Sequence, residues 1–454
     1  MSGSRVGLAL GVALVVEVGL GATAWSAPVG RGAAVRRGAA VRRGAAVGRG
    51  AAARRLPRSV EVHRGPIRVY TQPVIGSPWR GFIVAGGRFP VLAARPRTAR
   101  CGGRWFQIGP EAWTCSGWML PRGAPPTARR QLQNTWQPGP YVGRRTGRWQ
   151  RVGFFPSLRA LSRGRVRRLR GDLGFQIHSR LLLMRQVYLR TRSGGYVSEG
   201  DVRPYAPTAL VGLSLSRLRQ LPVVVALRDT PLLERRGKAL VPTGRTLRRY
   251  AVRAVKRRRG APVLVTESGA EHVVLGSGHR VRRADVALAV RPPAPPAGVT
   301  ARTRWVDVDA AERLVYAMQG PRPVRVMLTS LGPNTPRGTF RVEQKILHKD
   351  MQHRGGATPY YLEAVPYVVF FKGDFALHGA YWHDTFGSRP SHGCLNLSLV
   401  DARFVFGWLQ PALPPGFLAI YPTARDPGGV VRVRRRYARR PWEPAPPKRR
   451  RRAR

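Results

Sequence analysis

The sequence predicts a mainly β protein made of small modules, and three observations lead to this fold class. From about residue 59 onward, short runs of β-branched, aromatic and aliphatic residues alternate with Gly and Pro, a pattern typical of short strands joined by turns. The Pro-rich segment 291–298 interrupts this pattern and is typical of a stiff linker between domains. Beyond it, only residues 398–408 have the spacing of an amphipathic helix.

The region before the linker is expected to form small β-modules. Residues 59–122 contain β-type runs and clustered Trp, and they resemble a bacterial SH3-like barrel in which Cys101 and Cys115 are close enough in sequence to pair. Residues 131–292 are expected to form one or two further modules, because the segments 196–203 and 279–286 end two stretches in a similar way. The linker is then assigned to residues 293–301.

The region after the linker has the pattern of a larger β domain, assigned to residues 302–423. Ser398 and Asp401 form a capping box at the start of the predicted helix, and Pro411 ends it. Strands are predicted at residues 305–309, 314–318, 322–330 and 339–346, with a hairpin formed by 365–371 and 375–378.

The charge balance is strongly basic. The 454 residues include 80 Lys and Arg against 22 Asp and Glu, a formal net charge of +58. Such a chain is expected to associate with polyanions, which include nucleic acid, anionic lipid and acidic wall polymers. A hydrophobic content of 43% is high enough for folded cores and excludes disorder throughout.

The N-terminal sequence reduces the number of these possible partners. Arg5 precedes an apolar run at 6–20, and Ala22-Thr23-Ala24 follows, which predicts a secretory signal peptide over residues 1–24. Glu17 interrupts the run, so an uncleaved anchor or a buried helix remains an alternative. With a cleaved signal we expect a protein of the periplasm or cell wall that has no transmembrane segment and does not bind nucleic acid.

Two basic segments flank the predicted modules. Residues 25–58 contain the repeat Arg-Gly-Ala-Ala-Val-Arg at positions 31 and 37, and residues 424–454 are rich in Arg and Pro. Both are predicted to be disordered because they contain too few large apolar groups to form a core. Each is either a contact to anionic envelope polymers or an inert extension.

The residues that indicate chemistry lie between two predicted elements. His378 ends an apolar strand, which predicts a position at a sheet edge, and Cys394 lies in the tight segment 391–396 just before the capped helix. An imidazole beside a thiol can promote thiolate formation. Amides of a Gly-Cys loop can stabilise an oxyanion, and the absence of a side chain on Gly393 permits close approach of a carbonyl.

These residues resemble the L,D-transpeptidase (YkuD) family. His378-Gly379 and the run Ser-His-Gly-Cys-Leu-Asn at 391–396 match the family signature at every fixed position, and Thr-Pro-Arg-Gly-Thr-Phe at 335–340 is similar to a second family segment. The hairpin predicted at 305–316 resembles the family's opening hairpin. The resemblance implies an L,D-transpeptidase-type β-sandwich catalytic domain with one helix after the cysteine.

The resemblance also implies roles for single residues. Cys394 would be the nucleophile and His378 its base, with the Gly379 carbonyl orienting the ring. The Gly393 and Cys394 amides would form the oxyanion hole. Supporting positions in the loop would be Ser391, His392 and Asn396, and residues facing the substrate would be Tyr360, Tyr361 and Tyr367.

The implied reaction is a two-step acyl transfer on peptidoglycan stem peptides, without a cofactor. Cys394 would attack a tetrapeptide stem, release D-Ala, and pass the acyl group to the amine of another stem to give a 3–3 cross-link. Water or a protein lysine could instead resolve the same thioester. A non-catalytic wall-binding protein is a further alternative.

Two other site types use similar residues. Zinc could be bound by His378, His383, His392 and Cys394, but the signature accounts for these residues better, so no metal is expected. A papain-like protease places its cysteine before its histidine, whereas here the order is reversed.

Overall fold

The computed structural model describes most of the chain. The described residues are 56–98, 100–124, 139–145, 151–206, 208, 210–215, 221–353, 355, 359–388 and 391–435, together with the backbone of Val18–Gly19, a short strand paired with Ser179 and Arg180. The rest of the predicted signal peptide, nearly all of the basic arm and residues 436–454 lie outside this part. Strands predominate in the described residues, which confirms the mainly β class. None of the described helices is long and apolar enough to cross a membrane.

The first group of strands, called the first module, spans residues 59–122. Its apolar core includes Val60, Ile83 and Phe106, and a disulfide joins Cys101 to Cys115. Its strands are Ser59–Val62, Ile67–Tyr70, Trp79–Ile83, Arg88–Pro90, Ala93–Arg95, Trp105–Gly109, Ala112–Cys115 and Met119–Arg122.

A second group, the second module, spans residues 141–204 and has its own core around Phe154, Phe175 and Val197. A short helix, Leu158–Ser162, begins at Ser157, whose side chain accepts a hydrogen bond from the Ala160 amide. The strands are Tyr141–Arg144, Val152–Phe155, Arg167–Leu169, Asp172–Leu183, Gln186–Thr191, Tyr196–Ser198 and Val202–Pro204.

A third group, the third module, spans residues 223–289, with a core around Val224, Leu247 and Val281. Its strands are Val223–Ala226, Thr230–Arg236, Ala239–Leu247, Val252–Ala254, Arg257–Arg258, Ala261–Pro262, Leu264–Glu267, Ala270–Val274, Arg280–Arg282 and Val286–Ala289. Each module contains a strand, a three-residue 3₁₀-helix and another strand in direct succession; these 3₁₀-helices are Ser116–Trp118, Glu199–Asp201 and Arg283–Asp285.

The C-terminal domain, residues 304–434, has two sheets that face each other across one core. Its helix, Leu399–Trp408, lies at this core and begins at Ser398, whose side chain accepts from the Asp401 amide as the capping box predicts. One sheet contains Arg304–Asp309, Leu314–Gln319, Arg322–Leu328, Gly338–Arg341 and Val430–Arg434; the other contains Gln344–His353, Tyr360–Lys372, Phe375–Gly379, Leu395–Leu397 and Phe417–Ile420.

Two strand predictions need correction. The strand predicted at 339–346 is two strands, Gly338–Arg341 and Gln344–His353, and these belong to different sheets. The strand predicted at 322–330 ends at Leu328. The two residues that follow Leu328 leave that strand, and Ser330 instead pairs with Asn396 beside the cysteine segment.

The prediction that residues 424–454 form a disordered tail is wrong for the first part of this segment. Val430–Arg434 is a strand between Arg304–Asp309 and Gly338–Arg341. Its arginines have partners inside the protein, because Arg432 and Arg434 bond to Asp307, and Arg434 and Arg435 bond to Asp309. Both carboxylates are fully buried. Charge density alone therefore misplaced a segment whose positive charges pair with buried acids on the neighbouring strand.

Each of the three modules contacts the C-terminal domain. Asp172–Gly174 of the second module pairs in parallel with Tyr360–Leu362. Trp79–Ile83 of the first module pairs antiparallel with Phe417–Ile420. The third module packs its apolar face against a cluster that includes Trp305 and Tyr316.

Candidate active site

Strand pairing brings Cys394 and His378 together. Leu395–Leu397 runs parallel to Phe375–Gly379, with Leu377 opposite Leu395 and His378 opposite Asn396. Because side chains alternate between the faces of a sheet, Cys394, Asn396 and His378 point to the same face. Cys394 and Trp382 belong to one apolar cluster, and the ring centroids of Trp382 and His378 lie 5.8 Å apart, so the thiol and the imidazole lie on the same side of the sheet.

His378 is not at the sheet edge predicted from the sequence. It is 3% exposed, because strands pair on both sides of Phe375–Gly379. Its Nδ1 lies 3.2 Å from the Gly379 carbonyl oxygen, which can only accept, so Nδ1 carries the proton and Nε2 is left to act as a base. Burial lowers the pKa of His378 to about 4, so the ring is neutral at pH 7.

Cys394 is a free, half-buried cysteine. Its Sγ lies 3.5 Å from the Asp374 carbonyl oxygen. Burial raises the pKa of the Cys394 thiol, and a hydrogen bond from the Ala376 backbone opposes this rise. In the described part of the chain Cys394 Sγ makes no hydrogen bond to His378. The resting pair is therefore a neutral thiol beside a neutral imidazole.

Ser391 holds the loop before the cysteine. Its Oγ accepts from the Gly393 amide at 3.0 Å and donates to the Cys394 carbonyl oxygen at 2.5 Å. The predicted oxyanion role of the Gly393 amide therefore does not fit the resting geometry, because this amide already has an acceptor. Gly393 has φ +141°, and an added Cβ would lie 2.6 Å from the Phe375 ring, so this position requires glycine.

Sequence reasoning did not select Thr335 as a site residue. Its Oγ1 donates to the Gly393 carbonyl oxygen at 2.8 Å. The signal was present, since Thr335 begins the second segment that resembles the family. The side chains of Thr335 and Ser391 together hold both backbone polar groups of Gly393, its carbonyl and its amide.

The other loop residues occupy different positions. Asn396 is buried, with its Nδ2 3.1 Å from His383 Nε2, and its backbone pairs with Ser330. His392 is exposed, with its ring centroid 5.0 Å from that of Tyr360. Asn396 thus lies in the buried part of the site, whereas His392 lies at its surface.

The three predicted substrate tyrosines separate in the structure. Tyr360 lies at the site, in the same apolar cluster as Cys394. Tyr361 points to the second module, where its ring lies 5.8 Å from Phe154 and from Phe175. Tyr367 is buried in the core. The substrate-facing predictions for Tyr361 and Tyr367 are therefore wrong, because strand alternation and a local break at this strand turn both side chains away.

Trp382 forms a wall beside the base. Its ring centroid lies 5.8 Å from that of His378 and 5.1 Å from that of Tyr381. Tyr381 in turn stacks on Tyr141 of the second module at 3.6 Å. The second module thereby supports the loop that follows His378, which the sequence did not predict.

The zinc alternative would need at least three ligand side chains close together. No group of three or more His, Cys, Asp or Glu side chains suited to a metal occurs among the residues that the structure describes.

Comparison with known proteins points to the same region of the chain. Residues 303–433 match the model of the YkuD family, described as the L,D-transpeptidase catalytic domain. A protein of Bacillus subtilis (strain 168) named "Putative L,D-transpeptidase YciB" is 29% identical over a match that covers 22% of this chain and 59% of the relative. This chain thus spans about three-fifths of that relative's length.

Solved structures with lower identity include two L,D-transpeptidases. One, from Xylanimonas cellulosilytica, is 20% identical, with a TM-score of 0.20 over 32% of this chain and 64% of the other. Another, from Mycobacterium smegmatis, is 19% identical, with a TM-score of 0.24 over 39% and 80%. On the family model and the curated relative, residues 303–433 of this chain are similar to the L,D-transpeptidase (YkuD) catalytic domain.

Proposed function

We propose that this protein is a cysteine-dependent L,D-transpeptidase that forms 3–3 cross-links between peptidoglycan stem peptides. The observation that carries the proposal is the placement of the free Cys394 and the neutral His378 on one face of two paired strands. A base that is neutral at pH 7, with its proton on Nδ1, can take the thiol proton at Nε2.

The first step acylates the enzyme. His378 Nε2 accepts the Cys394 proton as sulfur attacks the carbonyl of the third residue of a tetrapeptide stem. The C–N bond to D-Ala then breaks, the imidazolium returns its proton to the leaving amine, and a thioester remains. We assign the Cys394 amide as an oxyanion donor; the Gly393 amide could join it only after leaving Ser391 Oγ.

The second step resolves the thioester. The side-chain amine of a second stem attacks the carbonyl, loses its proton to His378, and releases the Cys394 thiol. Water or a protein lysine would give a hydrolysed stem or a wall-attached protein by the same proton transfers. Export to the periplasm or cell wall belongs to this proposal, since the substrate lies outside the cytoplasm.

Mass spectrometry of purified protein with a tetrapeptide muropeptide tests the proposal. We expect D-Ala release and a dimer; a shortened monomer or a protein adduct would identify the other acceptors. Cys394→Ala should abolish D-Ala release, and His378→Ala should slow it by about 10²–10⁴-fold, the range for general-base catalysis. His383→Ala is the matched control and should cost much less. Activity retained in Cys394→Ala would refute the proposal.

A further inference from the structure

A cavity of about 690 Å³ lies next to Trp382, where three parts of the chain meet. The C-terminal domain supplies the loop just after His378, and the second and third modules supply the other walls. Its lining includes Arg203 and Tyr205 of the second module, Arg249 and Tyr250 of the third, and Trp382 and Asp384 of the loop.

The cavity is adjacent to the catalytic base. Trp382 lines it and also lies 5.8 Å from the His378 ring, measured between centroids. His383, another lining residue, contacts Asn396 through a 3.1 Å separation between Nε2 and Nδ2. A molecule held here would therefore lie on the His378 side of the site.

The charge of the lining is net positive. Arg249 is paired with Asp384 at 2.7 Å, which uses the one acidic side chain of the lining. Arg203 is exposed and makes no ion pair with a described residue. Tyr205, Tyr250 and Trp382 supply aromatic surface around these charges. An arginine beside aromatic walls suits a carboxylate on a short peptide.

From this placement we infer that the cavity is the acceptor subsite, and that it binds a carboxylate of the peptide whose amine resolves the thioester. The inference rests on the proposed function and deepens it. The acceptor amine must reach both the thioester and His378, which takes its proton, so a subsite beside His378 is suitably placed for the acceptor. Residues of the second and third modules would then belong to the substrate site.

Calorimetric binding to Cys394→Ala protein tests the subsite without turnover. The ligands are a tripeptide-stem muropeptide with an amine-bearing third residue and the same compound with its carboxylates amidated. We expect amidation and Arg203→Gln each to weaken binding about tenfold, the range for a hydrogen bond to a charged group. Arg203→Gln should not weaken binding of the amidated ligand any further. Arg168→Gln, an exposed arginine of the same module away from the cavity, should change nothing.

Equal weakening of both ligands by Arg203→Gln, or no weakening at all, would overturn the subsite. An equal loss in Arg168→Gln would also overturn it, because general charge attraction would then explain the binding. Failure of the proposed function is distinguishable. In that case protein that retains Cys394 would release no D-Ala from the tetrapeptide donor, whatever the state of Arg203.

Discussion

Truncation at the C-terminus distinguishes the folded strand from the basic tail that follows it. Removing residues 436–454 leaves every described contact in place, so we expect an unchanged unfolding transition. Removing 430–454 takes away the strand Val430–Arg434, whose Val431 is fully buried, and leaves Asp307 and Asp309 buried without their arginines.

The expected magnitude follows from these contacts. Leaving one member of a buried ion pair without its partner costs about 3–5 kcal/mol, and a buried Val side chain contributes about 1.5–3 kcal/mol. Two uncompensated carboxylates and the lost valines together approach the whole stability of a typical domain, about 5–15 kcal/mol. The shorter chain should therefore not yield a folded C-terminal domain.

Urea unfolding followed by circular dichroism measures the effect, with Asp307→Ala as a graded variant. We expect this variant to lose about 3–5 kcal/mol, because Arg432 and Arg434 lose their shared carboxylate. Glu234→Gln, which breaks a more exposed pair with Arg236, should change stability by less than about 0.5 kcal/mol. Equal midpoints for the two truncated proteins would refute the reasoning.

Three further predictions concern charge. Burial lowers the pKa of Lys345 to about 7, below the usual value of about 10.4, so between these values the unfolded chain binds a proton that the folded chain does not. The free energy of unfolding should therefore rise with pH in this window. Urea unfolding at pH 6.5 and 9 measures the rise, and Lys345→Met should abolish it. An unchanged dependence on pH in this variant would contradict the prediction. Iodoacetamide should alkylate Cys394 with a midpoint above that of an unperturbed thiol, because burial raises the pKa of Cys394; a midpoint below that of an unperturbed thiol would indicate a preformed ion pair. Deleting the basic segments 31–55 and 436–454 should weaken pelleting with isolated cell walls most at low salt, if they contact anionic envelope polymers. Equal pelleting of the two proteins at every salt concentration would show that these segments are inert extensions.

The sequence also predicts covalent labelling, since the family resemblance implies acylation by carbapenems. Intact-mass analysis should show one adduct, and peptide mapping should place it on Cys394. Cys101 and Cys115 are joined in the structure, so an adduct on either one would contradict that pairing.

Local signals made the helix and the cysteine loop predictable. Ser398 caps the helix through a hydrogen bond within four residues, and Gly393 precedes Cys394 in a segment with a specific signature. The oxyanion geometry was missed even though its signal is local, because a Ser hydroxyl can accept from the amide two residues later, as Ser391 does from Gly393. The roles of Tyr361 and Tyr367 were equally inaccessible, since a local irregularity in one long strand decides which face each side chain occupies.

Long-range pairing explains the remaining errors. Arg432 and Arg434 were predicted to lie in a disordered tail because their partner, Asp307, lies more than a hundred positions earlier in the chain. Similarly, no local pattern indicates that Arg203, Arg249 and Trp382 line one cavity. Periodicity predicts the secondary structure of a single segment, whereas these contacts depend on which segments lie together in the folded chain.

The sheet that carries the active site has been extended at both sides by other parts of the chain. Asp172–Gly174 covers one end of the strand that begins at Tyr360, and Trp79–Ile83 covers Phe417–Ile420. A fragment limited to residues 303–435 would leave both strands with unpaired backbone amides and carbonyls facing solvent. Open strand edges of this kind promote edge-to-edge association between molecules, so the excised domain should be prone to aggregate where the longer chain is not.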